Sequence, residues 1–570
     1  MLILILAACD MPGPGPQPTP TSSGGPTPPP TQGRFAPTPT TPPDVPRGGT
    51  LTVRIARDVT TLNPLFVDKG KDGTDAAAAA VTGLIFSGLT RLDDKLRPLP
   101  DLAESWDVAP DGLSLSFKLR QGVKWQDGDP LTADDVIWTY NTWLNMTATT
   151  NTLQYHLRES VLQIGPGNPP GSTVRFFLRR PYAPILADLA APILPKHLLG
   201  GVPLDKLVAN DFNFKPVGSG PFMFSSHKDG ENVILAANPN YYGGAPHLTG
   251  VAFLVAPDAD VAAKALTEGT LMLGELAQSA WEGLSRRPTI SATLNLDRWA
   301  DSSYDFVAFN TRTNQALGDV RLRQAWALAL DKPPLVQAAT QGAGVPLWTT
   351  INPASWAYTP DTPKLNNDPA QARKLLAEAG WADTNGDGIV DKAGEALKIS
   401  IFVRADDPTR RRAAEAMGPP LAAVGISTTV APVDFGSVIE AKIDPLHDPA
   451  FDFHAMIMGW NDQLLDPDEY LFFHSSQIPS RSSLNGLNYV GYSSPEYDDL
   501  SRKARAEYDY TKRAALYTQI QKLLASDLPY YPLWAPQHYM GMSRRVHGPI
   551  DLASPRYLWN VEQWWMTAGQ

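Results

Sequence analysis

Cysteine is almost missing from this chain, with one in 570 residues. A single thiol cannot close an internal disulfide, and cysteine-rich zinc sites are excluded with it. No apolar run approaches the roughly 20 residues that a membrane-spanning helix needs, so no such helix is expected. Lys and Arg number 48 against 59 Asp and Glu, a net charge of −11, and the basic residues form no run. Nucleic-acid binding requires a clustered basic footprint to neutralise phosphates, and that class is set aside. G-x-S-x-G, H-E-x-x-H and P-loop patterns are all lacking, and the nine histidines include no i, i+4 pair. An enzyme is not expected.

The one cysteine is informative by position. Cys9 follows Met1-Leu-Ile-Leu-Ile-Leu-Ala-Ala8, an apolar stretch closing on two small residues. This reads as the end (residues 1–8) of a secretory signal, and Leu6-Ala7-Ala8-Cys9 resembles a bacterial lipobox, in which the cysteine is acylated after cleavage. Residues 9–46 are then a lipid-bearing cysteine and a tether of Pro, Thr, Gly and Ser, with Phe35 its one aromatic. Such a segment buries too little surface to offset its ordering entropy and should be an extended, disordered spacer.

Beyond Arg47 the chain can build a core, since 43% of all residues are hydrophobic, and its length calls for more than one lobe. Polar and apolar residues alternate through Thr50–Ile55 and Leu113–Arg120, predicting strands. Further strands are expected at Thr173–Leu178, Val251–Val255, Asp305–Phe309 and Leu397–Phe402. Thr132-Ala-Asp-Asp135 is a capping-box variant opening a helix whose apolar face holds Val136, Ile137, Tyr140, Trp143 and Leu144. Asp319, Asp368-Pro369 and Ser494-Pro495 open others, and Arg513–Leu524 is periodic. Strands and helices interleave along the whole body, so the fold class is α/β.

One run has ion-binding logic. Asp383, Asn385, Asp387 and Asp391 occupy positions 1, 3, 5 and 9 of an EF-hand-like loop, with Gly388 at the sharp turn. Position 12 is Gly394 rather than glutamate, so the same run also reads as an Asx-rich turn. A structural calcium ion is one expectation; no cofactor is required.

Taken in order, the motifs resemble the peptide and nickel class of extracytoplasmic solute-binding proteins that serve ABC importers. Leu102-Ala-Glu-Ser-Trp106, Phe117 through Gly128, and Leu131-Thr-Ala-Asp-Asp-Val136 carry the resemblance first. Gly218-Ser-Gly-Pro-Phe222, Asn238-Pro-Asn-Tyr-Tyr-Gly243, Ala308-Phe-Asn310, Asp319 through Asp331 and Leu375 through Trp381 continue it. The resemblance implies a bilobal periplasmic-binding-protein-like clamp with an extra inserted subdomain. Lobe I would take 47–90, 213–308 and 530–570, the inserted subdomain 91–212, and lobe II 309–529. The hinge would pass near Phe309-Asn310 and Tyr530-Tyr531-Pro532.

It also implies the ligand site. Gly459-Trp460-Asn461-Asp462-Gln463 followed by Asp466-Pro467 is similar to the segment in which a tryptophan lines the pocket of peptide binders. In those relatives an aspartate three residues later meets the peptide ammonium. Here that position is Gln463, with Asp462 one residue early, a departure that leaves oligosaccharides or other solutes open beside oligopeptides. Thr60, Thr61 and Asn63 resemble the turn bordering the cleft, Asn310 either touches ligand or caps the hinge strand, and Arg404 could meet a carboxylate. The implied protein is a monomer, tied to the membrane through Cys9, that passes its ligand to ABC permease subunits and their ATPases. A clamp-type signalling receptor is the other reading.

Overall fold

The computed structural model describes residues 45–69, 75–146, 152–444, 446, 448, 451–460, 466–481 and 486–567. Its backbone is one twelve-stranded sheet path with a separate four-stranded sheet beside it. The strand Thr50–Ile55 forms where alternation predicts it and pairs in parallel with Gly250–Val255, which continues antiparallel into Asn232–Ala237 and Phe222–Lys228. These strands, with Leu273–Leu276 and Leu294–Ala300, make the first lobe's sheet.

The second lobe's sheet is built from Tyr304–Phe309, Gly344–Pro346, Lys398–Arg404, Ser427–Val433 and Ala455–Trp460. Both its faces are covered, and period-2 alternation shows how. Phe306, Ala308, Met456 and Met458 point into one apolar cluster, while Val307, Phe309, Ala455 and Ile457 point into another. A one-residue slip in register would exchange the two sets.

The fourteen-residue strand Tyr530–Ser543 belongs to both sheets. Its first half pairs with Tyr304–Phe309 and Gly344–Pro346; its second half pairs with Leu273–Leu276 and Leu294–Ala300. The other crossing lies at residues 301–303, between Leu294–Ala300 and Tyr304–Phe309, so partners change a few residues ahead of Phe309-Asn310. Asp301 N–H donates to the Pro536 carbonyl at 2.8 Å, tying the two crossings together.

The inserted region carries the antiparallel sheet Ala103–Val108, Ser114–Leu119, Thr173–Leu178, Val161–Pro166, in that order. Helix Ala133–Asn145 covers it and begins in a complete capping box, Thr132 and Asp135 each satisfying the other's backbone. Truncating such a cap costs about 1 kcal/mol. Val136, Tyr140 and Trp143 are buried, with Tyr140 edge-on to Phe176 at 5.3 Å. Asp319, Asp368 and Ser494 likewise accept hydrogen bonds at the starts of helices Val320–Ala329, Pro369–Glu378 and Pro495–Ala506. Gly218 sits where the inserted region rejoins the first lobe: a Cβ there would collide with the Ile85 carbonyl oxygen. Gln126 clamps the same turn, accepting from Gly218 N–H and donating to the Phe222 carbonyl. No helix among the described residues is long and apolar enough to cross a membrane.

Candidate functional site

Trp460 ends a central strand of the second lobe, directly opposite Tyr304 in the register. Its ring stacks on Phe472 at 4.4 Å, with Phe306 and Tyr489 each at 6.1 Å. Phe306 in turn stacks on Tyr530 of the shared strand at 4.0 Å, and Phe473 meets Tyr530 at 4.7 Å. The result is an aromatic floor at the end of the sheet, beside both crossings between lobes. Planar rings supply wide contact area at low entropy cost, as ligand clefts require.

Asn461, Asp462 and Gln463 lie outside the described residues, as does Cys9, but both flanks of residues 461–465 are defined. On the far side Asp466 is buried and takes Arg513 in a bidentate pair, both bonds at 2.6 Å. Asp468 pairs with Arg505 at 2.9 Å. Arg505 then faces the inserted region, its guanidinium 4.8 Å from the Tyr182 ring and 4.1 Å from Tyr470. Ala183 N–H donates to the Arg505 carbonyl at 2.6 Å, and Tyr508 O–H donates to the Gly112 carbonyl at 3.3 Å. The site is thus walled where the inserted region touches the second lobe.

Below the floor lies Glu469, 3% exposed. Thr350 Oγ1 donates to its Oε2 at 2.6 Å. Burial, with the neighbouring Asp468 adding to it, pushes the carboxyl up to about 8 despite the Thr350 bond. At the crossing itself His538 bridges Glu275 (2.6 Å) and Asp301 (2.7 Å) and stacks on Trp299 at 4.1 Å. Burial opposes its charge, but the two carboxylates win and raise it to about 9.

The remaining sequence candidates sit as follows. Asn310 is fully buried; its amide donates to Thr313 Oγ1 and the Phe451 and Phe453 carbonyls, and its oxygen accepts from Arg312 and Thr313 N–H. These bonds close the turn after the strand and tie it to the segment 451–453. Thr61 accepts from Asn63 N–H, and Thr60 donates to Asp75, the cap of the first helix. Arg404 is half-exposed and held by Asp406 at 2.7 and 2.9 Å. In the EF-hand-like run Asp383 accepts from Gly386 and Gly388 N–H, Asn385 from Asp387, Asp387 from Ile389, and Asp391 from Thr384. Tyr304, Glu469, Thr350 and the two arginines were not singled out from sequence. Arg513 left a signal: it falls in line with the buried residues Tyr517, Ile520 and Leu524 of its helix.

Two sheets sharing one strand, with a second crossing beside it, make a two-lobed body of the solute-binding kind, its aromatic cluster packed within the second lobe. More narrowly, the chain belongs to the bacterial extracellular solute-binding proteins of family 5, whose middle-region model matches residues 97–480. It is 34% identical to the oligopeptide-binding protein AppA of Bacillus subtilis over 528 residues, 91% of this chain and 92% of that one. The solved structure of AppA from Bacillus subtilis with a nonapeptide matches at TM-score 0.64 and 33% identity, covering 92% and 100% of the two chains. NikZ from Campylobacter jejuni with Ni(L-His) matches at TM-score 0.65 and 27% identity, covering 90% and 99%. Such proteins bind solutes without transforming them, and this chain is not an enzyme.

Proposed function

We propose that this protein captures oligopeptides between its lobes outside the cytoplasmic membrane and delivers them to an ABC permease. The aromatic floor under Trp460 carries the reading, because Trp460 pairs with Tyr304, the first strand residue after a crossing between the sheets, in a chain similar over nine-tenths of its length to an oligopeptide binder. Trp460 packs against the peptide, and Asn461, Asp462 and Gln463 supply polar contacts to it. Cys9 carries the lipid, and residues 10–46 give the clamp its reach. Closure follows from contacts that both lobes make only when shut.

Native mass spectrometry of the full chain, followed by denaturation to release whatever co-purifies, tests this. A ladder of peptide masses is the expected result. A hexose series or one non-peptide mass would move the assignment to sugars or a specialised solute and make Gln463 the meaningful departure. An intact mass of the membrane-extracted protein starting at Cys9 and carrying acyl chains tests the anchor.

A further inference from the structure

Phe222–Lys228, the outermost strand on the first lobe's side of the sheet, holds one residue more than its partner Asn232–Ala237. Phe224 pairs with Leu235 and His227 with Val233, so a bulge between them puts His227 on the face that Phe224 occupies. Unbroken alternation would send it to the other face. Past the strand, Gly230 takes a left-handed φ of 71° and Glu231 N–H donates to the Lys228 carbonyl at 2.9 Å, turning Asp229 back beside the ring.

The His227 side chain is 9% exposed, and its two nitrogens have different surroundings. Nε2 lies 3.0 and 3.1 Å from the two oxygens of Asp58, in the loop after Thr50–Ile55. The Asp58 carboxylate also accepts from Val59 and Gly230 N–H, at 2.8 and 2.7 Å. A carboxylate so placed is an acceptor, which puts the ring proton on Nε2 and leaves the lone pair on Nδ1. Nδ1 faces Asp229, whose Oδ1 stands 3.7 Å away, beyond hydrogen-bonding reach. His227 and Asp229 both line a cavity of about 560 Å³, where Phe214 lies parallel to the imidazole, 9° from its plane at 6.4 Å.

An imidazole held by a carboxylate through one nitrogen, with the other open, is how proteins orient a metal ligand from its outer side. Zinc bonds of about 2.0–2.1 Å at a tetrahedral angle set an imidazole nitrogen and a carboxylate oxygen about 3.3 Å apart. The Asp229 side chain is 98% exposed and free to close the few tenths of an ångström that separate it from that span. We propose that His227 Nδ1 and the Asp229 carboxylate bind a divalent cation of the zinc type, with Asp58 orienting the imidazole behind them. Nitrogen ligation selects such a cation over calcium, which takes oxygen donors. Water, or a donor from a molecule in the cavity, completes the coordination. Lys215 lines the same cavity but is exposed, and its long side chain turns to solvent as the cation enters. The site belongs to the first lobe alone and holds whichever solute the clamp takes.

Titration calorimetry of the untagged full chain with zinc chloride, at neutral pH in a non-coordinating buffer, tests this. The wild type is expected to show a saturable zinc site that excess calcium does not displace. His227→Gln and Asp229→Asn should each lose it. Asp58→Asn, which leaves both donors in place, should weaken it about 10- to 100-fold. No saturable zinc site in the wild type, displacement by calcium, or zinc affinity unchanged in any of the three variants overturns the assignment. Should the His227 or Asp58 variant fold poorly, Asp229→Asn decides, since its side chain is exposed: wild-type zinc affinity in that variant would mean that the trio only ties the loop to the hairpin.

Discussion

An acid that ionises in the unfolded chain but stays neutral in the folded one makes stability fall as pH rises. Glu469 is such a group: its ordinary value is 4.5 and burial lifts it to about 8. Between those two values the folded state holds more protons than the unfolded one, so stability declines across that window, by up to a few kcal/mol in all. Calorimetry on ligand-free protein should show the unfolding midpoint dropping from pH 5 to pH 8, and Glu469→Gln should remove much of that slope. An identical slope in the variant would show that Glu469 titrates normally. At this scale the sequence was partly legible. Trp460 and Asp466 were marked by their motif, but Glu469 follows in the same run, and nothing in composition says that its oxygen faces Tyr304 rather than water. The run from Asp383 to Asp391 is legible as a turn either way, since its side chains order the backbone amides around them.

At the scale of elements the crossing between lobes concentrates charge. His538 on the shared strand holds Asp301 on the other crossing and Glu275 on the neighbouring strand. Its folded value of about 9 exceeds the ordinary 6.5, so its stabilisation is complete below about pH 6.5 and is lost as pH rises through 9. Two and a half pH units correspond to about 3 kcal/mol at most. His538→Gln should therefore lower the unfolding midpoint clearly at pH 6 and hardly at pH 10; equal losses at both would mean that the ring acts by stacking on Trp299 alone. Elements were the most legible part of the chain. Strands Thr50–Ile55 and Thr173–Leu178 and the caps at Thr132, Asp319, Asp368 and Ser494 follow from alternation and local hydrogen bonding, which need no distant partner. The length of Tyr530–Ser543 was not legible, because a strand serving two sheets has no local pattern that distinguishes it from two shorter ones.

Across the whole molecule, the inserted region and the second lobe meet through Arg505, Tyr182, Tyr470 and Tyr508. Breaking one side of a buried pair leaves its partner's charge uncompensated, at a cost of about 3–5 kcal/mol. Arg505→Ala should thus loosen this wall and strand Asp468. Small-angle scattering is expected to show a larger radius of gyration than wild type, with ligand bringing it only part of the way back. An unchanged profile would mean that the wall does not hold the lobes together. The ordered motif set made the two-lobed architecture readable, but contacts between residues hundreds of positions apart carry no periodic signature in sequence.

Tyr530–Ser543 comes after every other strand of the twelve-stranded sheet in chain order, and both halves of that sheet are built around it. Until it has been made, Tyr304–Phe309 and Leu273–Leu276 each present a bare edge and neither half can be completed. One strand thus acts as a zipper for both lobes. Loss of this one strand would therefore open both lobes at once, where loss of an outer strand such as Ser427–Val433 would leave the other lobe whole.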